Sequence, residues 1–308
     1  MNASEPIDSF LPEGVELFNL LEKLRELCWG SADILMAYAR GEKPPFGFPQ
    51  VLSVKEGIEG PVSAADLAVN SWLINGLQSQ YPLINWFLLS EETAKDFSFG
   101  KNFSSDGWIW ILDPLDGTKD FLRGSGEYAV HLALLYKQQP VLGIVLIPEL
   151  EELWFGGRGL GTWCENRIRE KKFCSFSNRT DLNEIILVAS RSHRDERLEQ
   201  LFRRLEIPNQ KAVGSIGCKV ATILRGESDL YISLSGKTAP KHWDLAAPEI
   251  VLKSAGGNFT HVDGTLLKYD YKDFSQRGCL LASNGINHKF LAEKILDEIN
   301  QIDPSFQV

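Results

Sequence analysis

Apolar residues recur at helical spacing over residues 14–40: Val15, Phe18, Leu21, Leu24, Leu27, Cys28, Ile34, Leu35 and Tyr38. The pattern predicts one long amphipathic helix, ended near Gly41 by Pro44-Pro45. Residues 41–61 carry several Pro and Gly around a short extended piece and read as a flap or hairpin. A second helix is predicted over 67–79, then a strand over 86–89 ending in Ser90-Glu91-Glu92. The run 108–112 reads as a buried strand, 128–136 and 141–147 as adjacent strands turning at Gln138-Gln139-Pro140, and 153–155 as a further strand. Residues 164–184 are polar and basic and read as a connection. Beyond it strands (185–189, 211–213, 229–234, 279–282) alternate with helices (196–205, 219–224, 245–254, 288–302). Such alternation implies a layered α/β fold, divided here into 1–184 and 185–308.

Composition adds bounds rather than chemistry. The 308 residues are 44% hydrophobic and 24% charged, enough for a large core. A net charge of -9 with interspersed signs argues against a nucleic-acid polymer or a membrane surface as partner. The five cysteines show no ligand spacing, so idle thiols in a reducing compartment are expected. With no apolar run of about 20 residues and no leader-like N-terminus, a cytoplasmic protein is expected.

Candidate chemistry concentrates where the strand at 108–112 ends, in Asp113-Pro114-Leu115-Asp116-Gly117-Thr118. Pro114 restricts Asp113 to extended backbone, and a chain turning there can aim both acids into one volume. Carboxylates so close repel unless a proton or cation lies between them, and Mg2+ favours such oxygen ligands. Gly117 and Thr118 then offer N–H groups and a hydroxyl to a phosphate. Read alone, the same residues are equally a capped turn. Asp66, Glu91 and Asp244 likewise sit at predicted element ends, where an acid is commonly only a cap or dipole partner.

The combination changes the balance. D-P-L-D-G-T (113–118), S-E-E (90–92) and W-D-L-A-A-P-E-x-x-L-x-x-A-G-G (243–257) together resemble the inositol monophosphatase superfamily of lithium-sensitive, Mg2+-dependent phosphatases. The resemblance runs from about residue 62 to 257 and implies an αβαβα five-layer sandwich. It assigns metal ligands to Glu91, Asp113, Asp116, Asp244 and the Leu115 carbonyl, for two or three Mg2+ ions. It also assigns water activation to Asp66 with Thr118, phosphate binding to Gly117 and Thr118, and inhibition by Li+. Glu92 either orients a group behind the ligands or is solvated. No enzyme nucleophile is needed, so cysteines and histidines are set aside as catalysts.

Three features are similar to the 3′(2′),5′-bisphosphate nucleotidase branch, whose substrate is 3′-phosphoadenosine 5′-phosphate. They are Thr118-Lys119-Asp120-Phe121, then Ser190-Arg191-Ser192-His193, then Gly214-Ser215-Ile216-Gly217-Cys218-Lys219 with Lys241-His242-Trp243-Asp244. A second phosphate needs cations away from the metals, and Arg191, Lys219, Lys237 and Lys241 are available. Ser192, His193, Ser215, Lys219 and Lys241 are therefore expected in the substrate pocket, although each could equally be a solvated or capped residue. The chain departs from the branch at Tyr231-Ile232-Ser233, where nucleotidases often carry Y-x-R. Inositol or sugar phosphatase activity, including fructose-1,6-bisphosphatase, is the alternative. A non-catalytic metal- or nucleotide-sensing scaffold is a third reading. Monomer and homodimer stay open.

Overall fold

Helix α1 (Leu17–Ala39) turns Leu20, Leu24, Leu27, Ile34 and Leu35 inward, as its spacing predicts. These side chains belong to a computed structural model that describes residues 5–57, 60–96, 107–192, 194–236, 238–270 and 273–306. Strands β1 (Val54–Glu56) and β2 (Pro61–Ser63) pair as an antiparallel hairpin that begins in the expected flap and runs two residues past its end. Helix α2 (Ala64–Gln80) starts three residues earlier than its apolar pattern suggests. Ser63 caps it: the hydroxyl accepts from Ala65 N, while Asp66 reaches back to Ser63 N at 2.8 Å.

Strands β3 (Phe87–Ser90) and β4 (Trp108–Asp116) pair in parallel. After the short helix α3 (Thr118–Leu122) come β5 (Ala129–Tyr136), β6 (Gln139–Ile147), β7 (Glu152–Gly157), β8 (Gly161–Glu165) and β9 (Lys171–Phe173). From β4 onward each strand pairs antiparallel with the next, completing a seven-stranded sheet in sequence order. Two expectations are corrected. The β5–β6 turn is Lys137-Gln138, both with positive φ (50° and 60°), and Pro140 lies inside β6 beside a register irregularity. The presumed connection after residue 164 contains the last two residues of β8 and the whole of β9, three exposed residues too short to read as a strand.

The second sheet uses β10 (Ile186–Ser190), β11 (Asn209–Val213), β12 (Leu230–Leu234), β13 (Asn258–His261) and β14 (Cys279–Ser283) in the order β11-β10-β12-β14-β13. Helices α4 (Glu196–Leu205), α5 (Ile216–Leu224), α6 (His242–Ser254) and α7 (His288–Ile302) accompany it. Strand β13 carries little apolar pattern and was not anticipated.

Three apolar cores fill the gaps between five layers, α1/α2, first sheet, α5/α6, second sheet and α4/α7, the middle core covering both faces of α5/α6; this is the αβαβα sandwich. Alternation along β5 makes the division: Val130, Leu132 and Leu134 face α1 and α2, whereas Ala129, Ala133 and Leu135 face α5 and α6. The third core packs Leu187, Ile232 and Leu281 against Leu201 of α4 and Ile295 of α7. Each such buried Leu or Ile contributes about 1.5–3 kcal/mol. Helix α6 lies unusually close to the first sheet, because a Cβ on Gly156 would come 2.5 Å from Val251 Cα. The expected boundary after residue 184 falls between the sheets, yet α5 and α6, which follow it, share a core with the first sheet. All five cysteines are unpaired. Among the described residues no helix is long and apolar enough to cross a membrane.

Candidate active site

Strand β4 does not end at Leu112 but continues through the acidic motif to Asp116, with a register shift between Asp113 and Asp116. The irregularity re-aims the chain so that both acids reach one point, as bulges near functional sites do. Asp244, on the first turn of α6, joins them: one carboxylate oxygen from each of Asp113, Asp116 and Asp244 lies within 4.8 Å of the others. Glu91 begins a 3-10 turn directly after β3, close enough to Asp113 for the two carboxylates to repel. Behind it, Ser90 Oγ donates to buried Asn70 of α2 at 2.6 Å, tying the strand end down.

Crowding and burial perturb the acids of this cluster. Burial, then repulsion from Glu91, Asp116 and Asp244, holds Asp113 well above the usual carboxylate range. Burial, then Asp244, Glu92 and Asp66, does the same to Glu91. Such groups stay ionised together only beside positive charge. The donors are all hard oxygens, so the residues fit a divalent cation of the Mg2+ kind.

Each ligand candidate is held by its second oxygen or by a neighbour. Asp113 Oδ1 accepts from Leu115 N at 3.0 Å. Asp244 Oδ2 accepts from Lys241 N at 2.7 Å. Asp116 Oδ2 meets the first turn of α5, accepting from Ser215 Oγ at 2.6 Å, Ile216 N at 2.5 Å and Gly217 N at 3.3 Å. A helix N-terminus offers these N–H groups to an anion. Helix α5 starts at Ile216, three residues before the expected Lys219, and the turn that meets Asp116 is that added turn.

Beside the cluster, Thr118 Oγ1 lies 3.0 Å from Asp66 Oδ1 and 3.1 Å from the Leu115 carbonyl. One hydroxyl proton serves one acceptor at a time, so a bond to Asp66 leaves the Leu115 oxygen open. Asp66 is buried, which raises its pKa, while Ser63 and Thr118 oppose the shift. Gly117, at φ 92°, makes the left-handed turn that starts α3 here.

The expected substrate residues fare differently. Ser215 is spent on Asp116 and on capping α5, through Cys218 N at 3.3 Å. Lys219 is only 3% exposed, and its ammonium donates to the carbonyls of Gly214 (2.5 Å) and Ser215 (3.1 Å). It braces the loop from inside, and burial lowers its pKa against the pull of Asp116. Lys241 Nζ donates to Ser275 Oγ at 3.1 Å. Ser192 is exposed, whereas His193 and Lys237 lie outside the described residues. Arg191 is already paired, at 2.5 Å to Glu127 and 3.7 Å to Asp120. His131, set aside with the other histidines, is fully buried on β5 with Nε2 3.4 Å from Asp116 Oδ2. The available signal was a lone polar residue within the apolar run 129–135.

With this geometry in place, likeness to known proteins is informative. The profile of the inositol monophosphatase family matches residues 19–302. The 3′(2′),5′-bisphosphate nucleotidase CysQ of Salmonella typhimurium is 29% identical over 253 residues, covering 81% of this chain and 94% of that protein. A histidinol-phosphatase of Mycobacterium tuberculosis is 30% identical over 242 residues, covering 78% and 85%. Among solved structures, an IMPase of Thermotoga maritima superposes with a TM-score of 0.72 at 23% identity, covering 92% of this chain and 99% of that one.

Proposed function

The chain belongs to the inositol monophosphatase family, and from that premise we propose that this phosphatase removes the 3′-phosphate of 3′-phosphoadenosine 5′-phosphate, leaving AMP. The observation that carries hydrolysis is the convergence of Asp113, Asp116 and Asp244 beside the Asp66–Thr118 pair. The substrate choice is supported by the likeness to nucleotidases named CysQ across most of both chains. The three acids, with Glu91 and the Leu115 carbonyl, would hold two or three Mg2+ ions. When bound, Mg2+ supplies charge neutralisation at the phosphoryl oxygens and lowers the pKa of attacking water.

The chain's own groups do the rest. Thr118 accepts a hydrogen bond from the water and passes its own proton toward Asp66 Oδ1, as general-base chemistry requires. The water oxygen bonds to phosphorus, the ester P–O bond breaks, and the leaving 3′-oxygen takes up a proton from a second, solvent water. Gly117 N–H steadies a phosphoryl oxygen. Positioned charge dominates because phosphoryl transfer asks little covalent work of the protein.

The pairing of Arg191 with Glu127 and Asp120 favours a second reading, since it leaves fewer free cations for a 5′-phosphate. That reading is a phosphatase for inositol phosphates, sugar phosphates or histidinol phosphate. Phosphate release from 3′-phosphoadenosine 5′-phosphate, inositol 1-phosphate, fructose 1,6-bisphosphate and histidinol phosphate separates the two. Each is run with Mg2+, with EDTA, and with Li+ added to Mg2+. Preference for the nucleotide, lost in EDTA and reduced by Li+, is expected. Preference for another substrate moves the chain to the second reading, and no release from any overturns the catalytic assignment.

A further inference from the structure

His131 stands opposite Asp113 in the β4–β5 register, yet its ring points toward α5 and α6. It is 0% exposed, and its Nε2 has no hydrogen-bond partner. The carboxylate it faces is Asp116, 3.4 Å from Nε2, while Nδ1 lies 3.4 Å from the Trp243 carbonyl. Buried polar atoms are seldom left unmatched, because desolvation without a partner costs about 1–3 kcal/mol. The ring therefore lies between two elements that carry acids of the cluster, β4 with Asp116 and the first turn of α6 with Asp244, and has one N–H to offer to one of them.

Space has been made for it. A Cβ on Gly217, in the first turn of α5, would lie 2.3 Å from His131 Nε2 and 2.7 Å from Val145 Cγ1. Gly217 N is also one of the donors to Asp116 Oδ2. One small residue thus lets the imidazole and the helix turn approach the same carboxylate oxygen, from the sheet side and the helix side.

We propose that His131 is a positioning residue for the metal centre: in the tautomer protonated at Nε2, with Nδ1 left bare beside the Trp243 carbonyl, its Nε2–H is directed at Asp116 Oδ2, so that the other oxygen of Asp116 is presented to the cation. Partners of metal ligands act in this way, and their loss typically weakens metal binding about 10–100-fold. The inference rests on the reading of Asp116 as a ligand. It adds a contact from the sheet side, whereas the main-chain and Ser215 contacts of Asp116 all approach from α5.

The test measures Mn2+ affinity by calorimetry and by electron paramagnetic resonance, which needs no turnover. Glutamine places an N–H where Nε2 sits, asparagine places one nearer Nδ1, and leucine places none. His131→Gln is expected to keep wild-type affinity, and His131→Asn and His131→Leu to lose about 10–100-fold. Activity at saturating Mn2+ should largely return in both weakened variants, whereas a purely structural defect would lower thermal stability with affinity unchanged. Should the leucine variant fail to fold, the glutamine–asparagine pair decides, and equal affinities overturn the proposal. Wild-type protein and Asp116→Asn separate the two readings. If wild type binds Mn2+ and Asp116→Asn does not, unchanged His131 variants refute the positioning role alone. If wild type does not bind, both readings fall.

Discussion

Replacing Ser215 by alanine isolates how the first turn of α5 serves the site. The hydroxyl donates its single hydrogen to Asp116 Oδ2 at 2.6 Å and accepts from Cys218 N at 3.3 Å. Losing a hydrogen bond to a charged group costs about 1.5–3 kcal/mol, and losing an N-cap about 0.5–2 kcal/mol. One atom does both, so the terms overlap and the expected loss is about 2–4 kcal/mol. Urea unfolding in EDTA should show a lower midpoint at unchanged slope. The main-chain donors of Ile216 and Gly217 remain, so Asp116 stays roughly oriented, and the Mg2+ concentration for half-maximal activity should rise rather than turnover vanish. An unfolding free energy within about 0.5 kcal/mol of wild type would refute the idea that this hydroxyl carries a part-buried contact to the carboxylate.

Asp66→Asn removes the proton acceptor beside Thr118 and should lower kcat by about 10²–10⁴-fold, with Mn2+ affinity kept; undiminished turnover would remove Asp66 from the mechanism. Asp66, Glu91 and Asp113 are all raised in the folded chain, so folding favours their protonated forms. Their stabilising contribution is complete below the ordinary carboxylate pKa of about 4 and is lost as pH rises through the raised values. In EDTA the melting temperature should therefore climb as pH drops from about 8 toward about 5, and Mg2+ should reverse the slope; a steady fall on acidification in EDTA contradicts the shifts. Gly156→Ala drives a methyl against Val251 Cα, 2.5 Å away, and overpacking there should cost about 1–3 kcal/mol. Because α6 also carries Asp244, metal affinity should weaken with it, and a variant that is destabilised but binds Mn2+ normally would uncouple the helix seat from the site.

Elements with strong periodicity were legible in the sequence: α1, α4 and β5 stand where their apolar positions put them. Local chemistry was legible too, since the acids whose oxygens converge at one point are those of the D-P-x-D and W-D motifs. What escaped is information held between distant segments. Nothing local says that Ser215 turns inward, because its partner Asp116 meets it only after the sheets stack; the carbonyls that Lys219 reaches are local, but the core that buries its side chain is assembled from distant segments. His131 was passed over for the same reason: one polar residue in a strand declares its purpose only once the carboxylate across the strand pair is in place. Strands β9 and β13 were missed because short edge strands carry little hydrophobic alternation.

The contact between Asp116 and the start of α5 joins residues about a hundred positions apart in the chain. A ribosome will have exposed the whole D-P-L-D-G-T segment long before Ser215, and longer still before Asp244, leaves the exit tunnel. During that interval the acids of β4 have neither their helix donors nor their third carboxylate. The site thus has an order of birth: nascent chains stopped before α6 should gain no protection from proteolysis when Mg2+ is added, and chains released with α6 complete should gain it.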